Sequence, residues 1–170
     1  EDSIRLGRNA IVLGIILIAI GMVVYYKWSG VVADVALITN LLLIFAVMVS
    51  PPVRATLTLP GLAGIALTIG MAIDANILIF ERAREELRSG KSARAAMEAG
   101  YYKAFLTIVD THLTNILAVL PLIQFGTGPI KGFAVTLCIG LVISLFTAFF
   151  MTRTIFDYAF QVKGIKSLSI

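Results

Sequence analysis

Charge is scarce in this chain. Of its 170 residues only 14% are Asp, Glu, Lys or Arg, against 59% hydrophobic, which excludes an ordinary soluble domain of this size. Cysteine is nearly absent: Cys138 stands alone in an apolar run, so no intrachain disulfide can form, and a small core residue is the expected role. Histidine occurs once, as His112. No nucleophile triad, metal-ligand cluster or phosphate-binding loop can be assembled, so no enzymatic activity, cofactor or metal is expected. An opening methionine, a basic n-region and a cleavage site are also missing, and the chain is expected to be part of a longer protein. The net charge of +4 does not imply nucleic acid, because the basic residues fall in loops between apolar runs.

Those apolar runs are what the sequence has in abundance. A hydrocarbon core of about 30 Å needs about twenty residues of helix rising 1.5 Å each. Five such spans are predicted, at about 9–26, 31–50, 59–80, 104–125 and 130–152, giving an all-α membrane bundle in one domain. "YKWSG" makes a tight first connection, with Trp28, Tyr25 and Tyr26 as interfacial anchors. In "PPVRATLTLPG" the prolines break the helix, and Pro60 suits the first turn of the next one. "GTGP" is short enough only for a hairpin.

The loop at 81–103 is longer and highly charged. It continues the third span, breaks at Ser89 and Gly90, and restarts at Ser92, which can cap a short amphipathic helix with Ala93, Ala96 and Met97 toward lipid. Ten of the lysines and arginines, including Lys27, those of this loop, Arg153, Lys163 and Lys166, lie on one side of the membrane. Arg5, Arg8, Arg54 and Lys131 make four on the other. The positive-inside rule puts the richer side in the cytoplasm, with the N-terminus outside and the C-terminus inside.

Against this background Asp74 is conspicuous. It lies in the third span, about 20 Å below the outer end and about 9 Å from the inner one. An ionised carboxylate at such depth costs about 2.5–3.5 kcal/mol on insertion scales. Asp110 is about 10 Å inside its own span, nearly level with Asp74. Ala63, Leu67, Gly70, Met71, Leu78 and Glu81 share the face of Asp74, Gly70 admits a close neighbouring backbone, and Asn76 points the other way. In the fourth span Asp110, Thr107, Thr111, Thr114 and Asn115 form a polar arc about 140° wide, with His112 about 60° beyond Asn115. Such an arc predicts a central helix or one lining a hydrated cavity.

No lysine or arginine lies deep in any span. Either the two acids are protonated or a cation reaches them from another chain, and both suit a proton carrier. The alternative is a neutral aspartic acid hydrogen-bonded to a neighbouring helix. His112 reads as a titrating group or an interhelical hydrogen-bonder. Asn40, near mid-depth, is expected to bond another span, and Asp34 to be structural. Asp74 and Asp110 are thus the candidate proton pathway, with Asn40, Asn76, His112, Thr114 and Asn115 as supporting polar groups. Gly140, Ser144 and Ala148, like Ala10 and Gly14, form small-residue stripes expected to pack helices.

"LTLPGLAGIALTIGMAIDANILIFERAREEL" and "AVLPLIQFGTGPIKGFAVTLCIGLVISLFTAFFMTR", with "DSIRLG" before them and "KSLSI" at the end, resemble the SecD family of protein-export membrane subunits. The resemblance covers essentially the whole chain, and the ending is similar to that of a SecD made separately from SecF. It implies spans two to six of a six-span half, of the resistance-nodulation-division type, in the bacterial inner membrane. It also implies a proton-driven aid to Sec-dependent export, with SecF, the SecYEG translocon, YajC and the translocating preprotein as partners. The preprotein would be met by a periplasmic domain upstream. The family's proton-linked aspartate falls on Asp74, and its complementary arginine comes from SecF. In "DTHLTN" His112 and Asn115 depart from the family pattern, whereas Asp110 and Thr114 match it. Two other functions compete: a scaffold that only docks SecF and the translocon, and a related proton-driven small-molecule exporter.

Overall fold

The computed structural model describes residues 2–50, 58–162 and 170, and among them it is helical throughout apart from short connections. Pro51, Pro52, Arg54, Lys163, Lys166 and most of "KSLSI" lie outside the described residues. Helix α1 (Asp2–Val49) is interrupted once, at Lys27, with φ 49° and ψ −117°. In a straight helix residues 22 and 30 would be about 12 Å apart. Instead, a Cβ placed on Gly30 would lie 2.1 Å from the carbonyl oxygen of Met22. The chain therefore folds back at Lys27, and α1 is two segments, 2–26 and 28–49. The turn is tighter than "YKWSG" suggests, since helix resumes at Trp28.

Helix α2 (Leu59–Arg88) starts as its sequence prescribes: the Thr58 hydroxyl accepts from the Gly61 amide at 3.2 Å, and Pro60 occupies the first turn. It ends at Ser89 and at Gly90, whose φ of +90° suits a residue without Cβ. Helix α3 (Ala93–Phe125) is capped by the Ser92 hydroxyl on the Ala95 amide. This corrects the expected short, separate amphipathic helix, because the run from Ala93 is the first part of α3. Nor do Ala93, Ala96 and Met97 face lipid, as all three are buried against the protein. After the Gly126–Thr127 connection come α4 (Gly128–Phe146), a π-helical turn (Thr147–Met151) and α5 (Thr152–Val162), one continuous rod running ten residues past the predicted end of the last span. Among the described residues four helices are long and apolar enough to cross a membrane, α1 with its break among them.

Helix α2 is the hub, packing on α1, α3 and α4. Its Ile79 and Phe80 are fully buried with Ile44 of α1. Membrane helices gain little from solvent exclusion and are held by close packing of small residues and interhelical hydrogen bonds. The stripe on α4 works this way: Gly140 leaves the space that Thr68 of α2 fills, and Ser144 and Ala148 are buried below it. At the Lys27 end the Tyr26 hydroxyl donates to Glu81 at 2.9 Å, while Arg84 donates to Glu81 at 2.8 Å and to the Tyr25 hydroxyl at 3.0 Å. Tyr26, expected as an interfacial anchor, is buried in this latch, which ties the α1 turn to α2.

Candidate functional site

Asp74 projects from α2 to the surface of the described chain, between two concavities. One is a cavity of about 90 Å³ between α2 and α3, where Asp74, Met71 and Leu78 face Ile108, Thr111 and His112. The other is a groove of about 450 Å³ between α2 and the first segment of α1, lined by Gly70, Ile73, Asp74, Ile77, Tyr25 and Tyr26. The groove reaches the two tyrosines of the latch. Gly70, expected to admit a close backbone, has nothing within 4 Å of the position its Cβ would take, so the seam beside Asp74 is open.

The polar arc of α3 is divided by its helical phase. Asp110, Thr107, Thr111 and Thr114 are exposed, whereas His112, 200° around from Asp110, is buried at 2% exposure. Within the described chain α3 is not central: much of the arc forms an outer face, while Thr111 and His112 line the interhelical cavity beside Asp74. Thr111 donates to the Thr107 carbonyl and Asn115 to the Thr111 carbonyl, each at 2.8 Å, so part of the arc is satisfied within its own helix. Asp110 lines neither concavity that reaches Asp74. Level depth in sequence does not make the two acids neighbours, since their side chains leave different helices at different angles.

His112 makes two hydrogen bonds, Nδ1 with the Ile108 carbonyl at 2.9 Å and Nε2 with the Ser144 hydroxyl at 2.8 Å. The Ser144 hydroxyl is also 2.9 Å from the Leu141 carbonyl. Asn40 donates to the Thr147 hydroxyl at 3.2 Å, and Thr147 donates to the Ser144 carbonyl at 3.1 Å. Polar contacts thus run from α3 through Ser144 and the first residue of the π turn to α1. Such turns recur at functional sites in membrane and soluble helices. Asn76 donates to the Ala72 carbonyl of its own helix at 3.2 Å, and its buried Oδ1, like that of Asn40, accepts nothing among the described residues. Ser144 is the site residue that sequence reading missed. Its four-residue spacing with Gly140 and Ala148 is a packing signal, and its hydroxyl between two apolar neighbours was the remaining clue.

The chain matches the family described as "Protein export membrane protein SecD/SecF, C-terminal" over residues 3–161. It belongs to that family. Protein translocase subunit SecD of Syntrophobacter fumaroxidans is 57% identical over 99% of the chain, and that of Calditerrivibrio nitroreducens 52% identical over all of it. The chain spans 31% and 32% of the length of these two curated relatives. The crystal structure of SecDF, a translocon-associated membrane protein from Thermus thermophilus, superposes with a TM-score of 0.88 at 38% identity, over 96% of this chain and 22% of that one. A second SecDF structure, in a super-membrane-facing form, matches with a TM-score of 0.83 at 42% identity. The described fold is thus the membrane bundle of a SecD/SecF-family protein.

Proposed function

We propose that the chain is the proton-handling membrane part of a protein-export subunit, serving the Sec machinery of the bacterial inner membrane. The observation that carries this reading is the setting of Asp74. It is a carboxylate at membrane depth, on a span without lysine or arginine, open both to an interhelical cavity and to a groove ending at the Tyr26–Glu81–Arg84 latch. A group so placed can take a proton from one side and lose it to the other as the helices around it move.

The exposed polar face supports the partner assignment. Asp74, Asp110, Thr107, Thr111 and Thr114 cannot face hydrocarbon without a cost of several kcal/mol for the acids alone. A neighbouring SecF-type subunit carrying an arginine to Asp74 would cover them and supply the missing cation. Orientation follows from the excess of lysine and arginine at the Lys27, Arg82–Lys103 and Arg153 end, which is placed in the cytoplasm. No covalent chemistry is required of any side chain: the work comes from proton movement coupled to helix rearrangement, and the preprotein is met outside this bundle.

The test is Asp74→Asn in the full-length protein with its partner. Proton-dependent export is expected to fall by about tenfold or more with assembly intact. Normal export in that variant would overturn the proposal. An equal loss of assembled complex would favour the scaffold role.

A further inference from the structure

His112 is the chain's single histidine, it is buried, and it shares the cavity of about 90 Å³ with Asp74. Its hydrogen bonds determine what it can do with a proton. A carbonyl oxygen only accepts, so Nδ1 carries a hydrogen toward Ile108. In the neutral ring Nε2 is then an acceptor, and the Ser144 hydroxyl donates to it. In the doubly protonated ring Nε2 donates, and the same hydroxyl oxygen accepts while its hydrogen turns to the Leu141 carbonyl, 2.9 Å away. Both protonation states therefore keep all their hydrogen bonds without any heavy atom moving. A buried histidine with a merely structural role needs only one of these arrangements.

We infer that His112 is a second proton-binding group of the site, coupled to Asp74 across their shared cavity. This rests on the proton-handling reading of Asp74 and adds to it a cation within the same chain. With Asp74 ionised, the imidazolium is the stable form; with Asp74 protonated, the neutral ring is. In the net step the O–H bond of Asp74 breaks and an N–H bond forms at Nε2 by way of the Ser144 hydroxyl, which passes its own hydrogen to Nε2 and takes up one in its place, because that hydroxyl occupies the lone-pair direction of Nε2. Neutral acid and neutral imidazole become carboxylate and imidazolium, and the total charge is unchanged. The cavity of about 90 Å³ exceeds what one water needs, and Asp74, Thr111 and His112 are its polar lining.

Other charges around the ring are few. From α2 only Asp74 faces the cavity, α3 contributes Asp110 on its opposite, exposed face, and α4 has no charged residue between Lys131 and Phe146. On α1 the polar chain ends at Asn40, with Asp34 nearly two turns earlier. The Ser144 carbonyl accepts from Thr147, where the π turn begins, and Thr147 accepts from Asn40, so the residue that partners the ring is tied to α1.

The test uses the full-length protein with its partner in lipid nanodiscs, labelled with ¹⁵N-histidine. The His112 signal is assigned by its loss in His112→Asn. At about pH 6 the imidazolium-to-neutral ratio of His112 is expected to fall at least about tenfold on Asp74→Asn. An unchanged ratio, or a ring that stays in one form between about pH 5 and about pH 8, would overturn the inference. His112→Asn is expected to move the midpoint of the pH profile of export by about one unit or more while complex yield holds. A profile unmoved in an assembled complex would also overturn it. Should His112→Asn not assemble, the ratio comparison still decides, with the signal assigned through Ser144→Ala. The two readings fail separately, since Asp74→Asn with normal export removes the proposed function, whereas lost export with an unchanged His112 ratio removes only this coupling.

Discussion

At the scale of single residues, chemistry was legible in the sequence wherever an expensive side chain stood in an apolar run. Asp74 declared itself by the cost of its charge, and Asn40 by its depth. The partner of His112 was not legible: Ser144 is 32 residues away on another helix, and helical phase gives a direction without saying which helix lies there. Glu86 is a further case, nearly buried and paired with both Lys103 and Lys91 in the connection between α2 and α3. Those two hydrogen bonds lower its pKa to about 2 from the usual 4.5. With the folded value depressed, the stabilisation is present above about pH 4.5 and is lost as pH falls toward 2. The protection factor of the amides at residues 87–92, taken against the intrinsic exchange rate at each pH, is therefore expected to fall over that window in the wild type. In Glu86→Gln the protection factor should already be low at neutral pH and should not fall further in acid. Equal protection in both proteins at neutral pH would show that the pairs do not hold the loop.

At the scale of elements, apolar length and the turn residues gave the helices, and capping gave their starts, as at Thr58 with Pro60 and at Ser92. What followed Ser92 was not legible, because an amphipathic pattern looks alike whether it ends in a loop or runs on into a span. The reversal at Lys27 rests on one residue with positive φ and on the absence of a Cβ at Gly30. Gly30→Ala places a methyl against the Met22 carbonyl and is expected to destabilise the bundle by about 1–3 kcal/mol or more. Gly14→Ala, with open space around it, is expected to change stability by less than about 0.5 kcal/mol. Thermal unfolding in detergent, followed by size-exclusion fluorescence, compares the two, and equal midpoints would contradict the tight turn.

At the scale of the whole molecule, the bundle presents two kinds of exposed surface. Val142, Phe146 and Phe150 are apolar and suit lipid, whereas the face of Asp110, Thr111 and Thr114 is polar and calls for a protein neighbour. Composition revealed the membrane class, but not which face stays open, since that depends on how α3 is rotated against α2. In a Cys138→Ala background, Thr114→Cys is expected to cross-link to the partner subunit in the native membrane, and Val142→Cys is not. Cross-linking from both positions, or from Val142 alone, would misplace the interface.

The central claim is that protons cross the membrane by way of Asp74. It is tested most directly by proton flux into proteoliposomes holding the full-length protein and its partner, read with an internal pH-sensitive dye under an imposed gradient. Flux that falls to about the level of empty vesicles in Asp74→Asn, with the complex intact, is the predicted result. Flux equal to that of the wild type would contradict the account.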